Sequence, residues 1–242
     1  MRRHRVFVRN LKAGTVALLG AEAHHLAQVL RVGPGDPVRA FDGAGLEAEG
    51  EVVAVDPVRV ELRLEPPHPS DAEPSWSLTL AVGLLKGDKL SDVIRHGTEL
   101  GVVRFIPFVS RRGDVPTLSP NKLARWRRVA QEAAKQSGRS VVPDVTDATP
   151  LKDLDPATLG ADLGLVADPR ADATLRDHLA VHTPADGASL CCLTGPEGGF
   201  TDEEIVMLRD KGFRSVFLGG RILRAETAPV ALAAALLVPE GR

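Results

Sequence analysis

The stretch Pro66-Pro67-His68-Pro69-Ser70-Asp71-Ala72-Glu73-Pro74 divides the chain into two parts with different periodicities. Its prolines fix φ and remove backbone donors, so neither a helix nor a central strand can run through it. Before it the apolar runs are short: Val6-Phe7-Val8, Val16 to Leu19, Val38 to Phe41, Leu46 to Val55 and Val58 to Leu64. Asp42-Gly43 reads as the turn of a hairpin. Ala21 to Leu30 has helical spacing and ends at Arg31, before the breaker Gly33-Pro34-Gly35-Asp36. Residues 1–70 are therefore expected to form a small β-barrel with one helix. Beyond the prolines, strands and helices alternate. Leu78 to Leu85 reads as strand, Asp88 to Leu100 as helix, Val102 to Val109 as strand and Asn121 to Gln136 as a long helix. Leu163 to Ala167, Leu190 to Leu193 and Val216 to Leu218 are short apolar strands, each followed by a loop and a helix. Residues 74–242 thus predict an α/β domain on a mainly parallel sheet.

A chain of 242 residues, 43% hydrophobic and 26% charged, has the composition of a soluble globular protein. Its longest apolar run, Ala228 to Val238, is too short to span a bilayer. Met1-Arg2-Arg3-His4-Arg5 has no apolar segment behind it and does not resemble a secretory leader. Cytoplasmic residence is the expectation. The adjacent Cys191 and Cys192 read as buried strand residues pointing to opposite faces, with no further cysteine to build a disulfide framework. The histidines lack Cys or carboxylate neighbours at ligand spacing, so no metal site is expected.

Net charge is −2, but the charge is uneven. Arg2, Arg3, Arg5, Arg9 and Lys12 open the chain without an acid, and Arg31 follows the first helix. Arg111, Arg112, Lys122, Arg125, Arg127, Arg128, Lys135 and Arg139 face only Asp114 and Glu132 in the middle of the sequence. Two basic patches on a near-neutral protein fit binding of a polyanion. A solvated arginine-rich surface fits them equally.

Two glycine loops carry the chemistry. Leu193-Thr194-Gly195-Pro196-Glu197-Gly198-Gly199-Phe200-Thr201 joins a strand to a helix, and glycine there permits positive φ and close approach of a ligand to backbone. Thr201 and Glu204 have capping-box spacing. Asp202, Glu203 and Glu204 crowd the first turn, and Glu197 adds another charge. A helix N-terminus so loaded repels phosphate. The loop also lacks a GxGxxG pattern and a P-loop lysine, so a neutral or cationic ligand suits it better. The second loop, Leu218-Gly219-Gly220-Arg221-Ile222-Leu223-Arg224-Ala225-Glu226-Thr227-Ala228, leads into an alanine-rich helix that is apolar nearly all round. Thr227 before Pro229 reads as its N-cap.

Together these two segments resemble the signature of the RsmE family, SPOUT-superfamily methyltransferases that modify N3 of a uridine in 16S ribosomal RNA. The resemblance extends over both domains, through His25 to Arg31, Gly33-Pro34-Gly35-Asp36, Phe41-Asp42-Gly43, Glu99-Leu100-Gly101-Val102, Ser110-Arg111, Gln136, Gly138-Arg139 and Pro143. His96 departs from it, standing where the family carries a lysine.

The resemblance implies an N-terminal PUA-like barrel that binds RNA and a C-terminal domain whose last segments form a trefoil knot. It implies a homodimer with the site at the subunit interface and S-adenosylmethionine held by the knot loops. Carried over residue by residue, the cofactor set is Val166, Thr194, Gly195, Glu197, Gly199, Leu218, Gly219, Ile222, Leu223, Arg224, Thr227 and Ala228. Methyl transfer to uracil N3 displaces a proton and places negative charge on the ring carbonyls, which a fixed guanidinium stabilises. Arg224 is the expected catalytic cation; Glu226 or solvent takes the proton. Arg2, Arg3, Arg5, Arg9, Arg31, Arg111, Arg112, Arg125 and Arg139 are the expected RNA contacts on the small ribosomal subunit. Two other readings remain at this stage: a related knotted enzyme acting on another RNA atom such as a ribose 2′-oxygen, and a non-catalytic RNA-binding assembly factor.

Overall fold

A computed structural model describes residues 4–115 and 117–238, so Arg2 and Arg3 lie outside the described residues. The chain divides into two compact units, each treated by itself: one comprises the residues up to Glu73 together with Ala134–Val142, the other Pro74–Ala133 and the residues from Pro143 onward.

In the first unit β1 (His4–Phe7), β2 (Gly14–Leu19), β3 (Pro37–Phe41), β4 (Leu46–Asp56), β5 (Arg59–Leu64) and β6 (His68–Pro69) form one sheet in the order β1-β3-β4-β5-β2, with β6 on β4. Strict alternation explains β5: Val60, Leu62 and Leu64 are buried, while Arg59, Glu61 and Arg63 face out. Val6, Leu18, Leu26, Val38, Val52 and Leu62 share the core. The expected single helix over 21–30 is instead a short α1 (Gly20–His24) continued by a π-helical turn, His25–Leu30. Arg31 ends it in the left-handed region at φ 54°, and the Val32 N–H closes the turn on the Leu26 carbonyl.

The proline-rich segment is pinned. The Glu73 carboxylate accepts from the Arg139 guanidinium at 2.6 and 3.0 Å and from the Ser140 and Val141 N–H groups at 2.9 Å each. The segment 134–142 therefore belongs to the same unit as the strands, a grouping that a boundary drawn at residues 70–74 misses.

The second unit carries a seven-stranded, wholly parallel sheet. Its strands are β7 (Ser77–Gly83), β8 (Arg104–Val109), β9 (Asp144–Val145), β10 (Thr149–Pro150), β11 (Leu163–Ala167), β12 (Ser189–Thr194) and β13 (Arg214–Val216), in the order β10-β8-β7-β12-β11-β13 with β9 on β8. The helices are α2 (Lys89–Leu100), α3 (Pro120–Ser137), α4 (Leu175–Val181), α5 (Asp202–Asp210) and α6 (Thr227–Leu237). Both faces of the sheet are buried. On β12, Leu190 and Cys192 enter one apolar cluster, and Cys191 and Leu193 enter the other. Burial pushes the Cys191 thiol up to about 12, so it stays protonated at neutral pH.

The α2 helix places Leu90, Val93, Ile94 and Gly97 on one buried face at helical spacing. It stops at Gly101, whose φ of 112° favours glycine. α6 packs on α2, β7 and β12, although it follows the edge strand β13. The chain must therefore return across the carboxyl ends of β11 and β12.

Candidate functional site

Three loops leave the carboxyl ends of neighbouring parallel strands, where ligands bind in open α/β sheets. They follow β11, β12 and β13, and they enclose a cavity of about 350 Å³, within the roughly 300–1,000 Å³ of small-molecule sites. Its wall includes Thr194, Gly195, Glu197 and Gly199 from the first glycine loop. From the second it includes Leu218, Gly219, Ile222, Leu223 and Ala228. These nine expected cofactor residues meet at one place.

Three expected residues do not line the wall. Val166 lies one residue too early on β11 and is fully buried in the core; Ala167, Asp168, Pro169 and Arg170 form that side instead. Arg224 is not part of the wall, and 86% of its side chain is exposed. Thr227 is the first residue of α6 rather than its cap. Glu226 holds the N-cap position, makes no side-chain capping bond and turns toward Lys89 instead.

Close packing shapes the first loop. A Cβ on Gly198 would sit 2.6 Å from the Arg112 carbonyl oxygen, so the loop reaches its position only with glycine there. Gly199 alone of the loop glycines takes positive φ, at 65°. The Arg112 guanidinium donates to the Phe200 carbonyl at 3.2 Å, and the Phe200 ring stacks on Phe108. The predicted capping box is present: the Thr201 hydroxyl accepts from the Glu204 N–H, and the Glu204 carboxylate accepts from the Thr201 N–H.

The acids of the first turn of α5 are already engaged. Asp202 pairs with Arg170, Glu203 approaches Arg111 at 3.8 Å, and Glu204 also accepts from the Arg111 N–H. The carboxylates left on the wall are Glu197 and Asp168. Asp168 is buried and pairs with Arg170 at 3.1 Å. Partial burial opposes charge on Glu197, but bonds from its own backbone N–H, the Lys89 ammonium and the Lys86 N–H outweigh it. They hold its carboxyl below the ordinary carboxylate range.

Chemically the cavity offers backbone donors and acceptors, two carboxylates, the guanidinium-bearing residues Arg112, Arg170 and Arg221, and apolar walls from Phe217, Leu218 and Ile222. The Thr194 hydroxyl is buried on its wall without a hydrogen-bond partner, a cost that a polar ligand would relieve. Backbone edges, an orphaned hydroxyl and side chains of both charges suit a ligand that combines a heteroaromatic base with positive and negative groups. S-adenosylmethionine fits that description. Lys89, Asp168 and Arg170 were not singled out by sequence reasoning, because a residue after a strand carries no periodic signal; the strand-end rule applied to β7 and β11 was the available pointer.

The expected RNA contacts separate into two groups. Arg9, Arg31, Arg111, Arg112 and Arg125 are exposed, Arg125 in an ion pair with Asp88 at 2.5 Å. Arg5 and Arg139 are not available for phosphate. Arg5 bonds Glu47 at 3.2 Å, the Arg139 carbonyl and the Ser140 hydroxyl, and Arg139 is 3% exposed against Glu73. Arg5 neutralises the buried Glu47 and Arg139 the half-buried Glu73 of the same unit, which is why they sit inside despite their charge.

Among the described residues no group of three His, Cys, Asp or Glu side chains comes together to hold a metal ion, and no helix is long and apolar enough to cross a membrane. Residues 72–237 match the RNA methyltransferase domain family, and residues 18–65 the RNA methyltransferase PUA domain family. The chain is 34% identical to the ribosomal RNA small subunit methyltransferase E of Bacillus subtilis, covering 90% of this chain and 88% of that one. It is 38% identical to the protein of the same name from Synechocystis, covering 90% and 72%. The crystal structure of the Neisseria gonorrhoeae ribosomal RNA small subunit methyltransferase E bound to S-adenosyl methionine superposes with a TM-score of 0.86, at 29% identity over 98% of both chains. With both domains matched and relatives 34–38% identical over 90% of its length, the chain belongs to the ribosomal RNA small subunit methyltransferase E family.

Proposed function

We propose that the protein methylates N3 of a uridine in 16S ribosomal RNA, with S-adenosylmethionine as donor and the small ribosomal subunit as substrate. The observation that carries this reading is the convergence of both glycine loops and the Ala167–Arg170 segment on one cavity, in a chain of this family. When bound, the cofactor supplies an electrophilic methyl group on a sulfonium.

The chain's own residues position and discriminate. Thr194, Gly195, Gly199, Leu218, Gly219, Leu223 and Ala228 hold the nucleoside and amino-acid parts through backbone edges and apolar contact. Glu197, paired with Lys89, and Asp168, paired with Arg170, present carboxylate oxygens on the wall that can accept hydrogen bonds from the cofactor's polar groups. The exposed Arg224 guanidinium, 4.0 Å from Glu226, is free to meet a uracil carbonyl presented from outside the cavity. As the N3–H bond breaks, Glu226 or solvent accepts the proton, and Arg224 stabilises the charge on the ring oxygens. N3, freed of its proton, would take the methyl group, and the donor would leave as a neutral thioether. Reaction at a base inside structured RNA requires that base to leave its stack. Arg9, Arg31, Arg111, Arg112 and Arg125 supply phosphate contacts, so affinity should fall steeply with salt.

Two architectural features belong to the same proposal. The return of the chain from β13 to α6 past the β12 loop supports a trefoil knot. The exposed Ala235 on the apolar helix α6 and the exposed Val238 that caps it support a second copy packed there, giving a homodimer with the site at its interface. Sedimentation equilibrium measures the latter. The work is placed in the cytoplasm, where ribosomal subunits are assembled.

The deciding experiment incubates the protein and labelled S-adenosylmethionine with isolated 30S subunits and with naked 16S RNA, then identifies the product nucleoside by mass spectrometry. N3-methyluridine is expected, from the 30S reaction above all. A 2′-O-methylated nucleoside, or no transfer, overturns the reading.

A further inference from the structure

Lys89 opens α2, outside both glycine loops, yet it touches both. Its Nζ donates to Glu197 Oε1 at 3.0 Å and lies 3.4 Å from Glu226 Oε2. Glu197 belongs to the loop after β12, and Glu226 ends the loop after β13. Two carboxylates thus share one ammonium, and without it they would be left as neighbouring like charges.

The segment that carries Lys89 is itself held firmly. Arg125 on α3 pairs with Asp88 at 2.5 Å, and Lys86 pairs with Asp114 at 2.8 Å. The Lys86 N–H donates to the same Glu197 oxygen at 3.3 Å. Beneath it, a Cβ on Gly83 would lie 2.6 Å from Pro196, so the end of β7 packs directly on the first glycine loop. With the end of β7 packed on that loop, Lys89 is the group by which the β7–α2 segment reaches both loops.

We propose that Lys89 is a positioning residue that clamps the two cofactor loops together before ligand arrives; its role toward S-adenosylmethionine rests on the proposed function, its clamping of the loops does not. The hydrogen bond to Glu197, with the added pull of Glu226, raises the Lys89 pKa against the opposing effect of desolvation, so the clamp stays charged throughout the neutral range. The side chain is 40% exposed, and ion pairs of that exposure add little to global stability. The clamp's effect is instead local. It reduces the freedom that the loops would otherwise lose on binding, which is preorganisation.

The test compares the wild type with Lys89→Met and Lys89→Arg in three measurements. Hydrogen exchange on the protein without ligand should show faster exchange at residues 197–200 and 221–226 in Lys89→Met, with the β7 and β12 amides unchanged. Calorimetry should show S-adenosylmethionine bound about tenfold more weakly by Lys89→Met, the equivalent of about 1.4 kcal/mol. Its KM for the cofactor should rise to match while kcat stays within about twofold. Lys89→Arg, which keeps the charge, should recover most of the loss. Unchanged loop exchange in Lys89→Met overturns the clamp, and so does a fall in kcat at unchanged affinity. If the wild type binds no S-adenosylmethionine, the proposed function fails, while the exchange comparison still decides the clamp.

Discussion

Arg224 illustrates how much one side chain's surroundings decide. Its neighbours in sequence line the cavity, but its guanidinium lies in solvent near a single carboxylate. In the proposed function a cation so placed would stabilise transition-state charge rather than hold the cofactor. Arg224→Ala is therefore expected to lower kcat by about 10²–10³, the usual loss of one oxyanion donor, while calorimetry finds cofactor affinity essentially unchanged. Retention of wild-type turnover would remove Arg224 from the reaction. Arg5 and Arg139 make the opposite point. In the sequence they are indistinguishable from Arg9 and Arg125, since charge patterning reports density and not direction. Their partners, Glu47 and Glu73, are more than forty residues away in the chain, so no local pattern could have sorted buried from exposed.

At the scale of elements, local chemistry was well marked where a helix or strand is set by its own residues. The capping box at Thr201 and Glu204 was legible because both partners lie within one turn. Thr201→Ala should cost about 0.5–2 kcal/mol, the usual price of an N-cap, read as a lower urea midpoint with unchanged slope. An unchanged midpoint would mean that Arg111 and Arg170 hold the α5 terminus without the cap. Two element readings failed for tertiary reasons. Thr227 lost the N-cap position to Glu226, whose carboxylate is drawn off by Lys89 on α2. The helix after β2 widened into a π turn at His25–Leu30 and closed through Arg31 in the left-handed region. The Gly33-Pro34 breaker was visible; the change of helical pitch before it was not.

At the scale of the whole molecule, one buried carboxylate ties the stability of the first unit to pH. Burial alone would raise the Glu47 carboxyl, but bonds from Ser140 and Arg5 and the nearby Arg39 outweigh it and hold the carboxyl below its ordinary value of 4.5. A depressed native pKa contributes stability that is present above the unfolded value and is lost as pH falls through the native one. The first unit should therefore lose urea resistance as pH drops below about 4.5. In Glu47→Gln that loss should be shallower; an equal acid dependence in both proteins would assign the sensitivity elsewhere. By itself the sequence determined the strand–helix alternation, the division near the prolines, the capping of α5 and the chemical character of the two glycine loops. Those follow from residues within a few positions of one another, where propensity, sterics and hydrogen bonding act locally. The tertiary structure alone decided that the Ala167–Arg170 segment walls the cavity and that Lys89 joins its two loops. It alone decided which arginines face solvent and that residues 134–142 fold with the first unit. Such facts rest on pairings across tens of residues, and the shared sheet and buried charges choose those pairings after the local elements have formed.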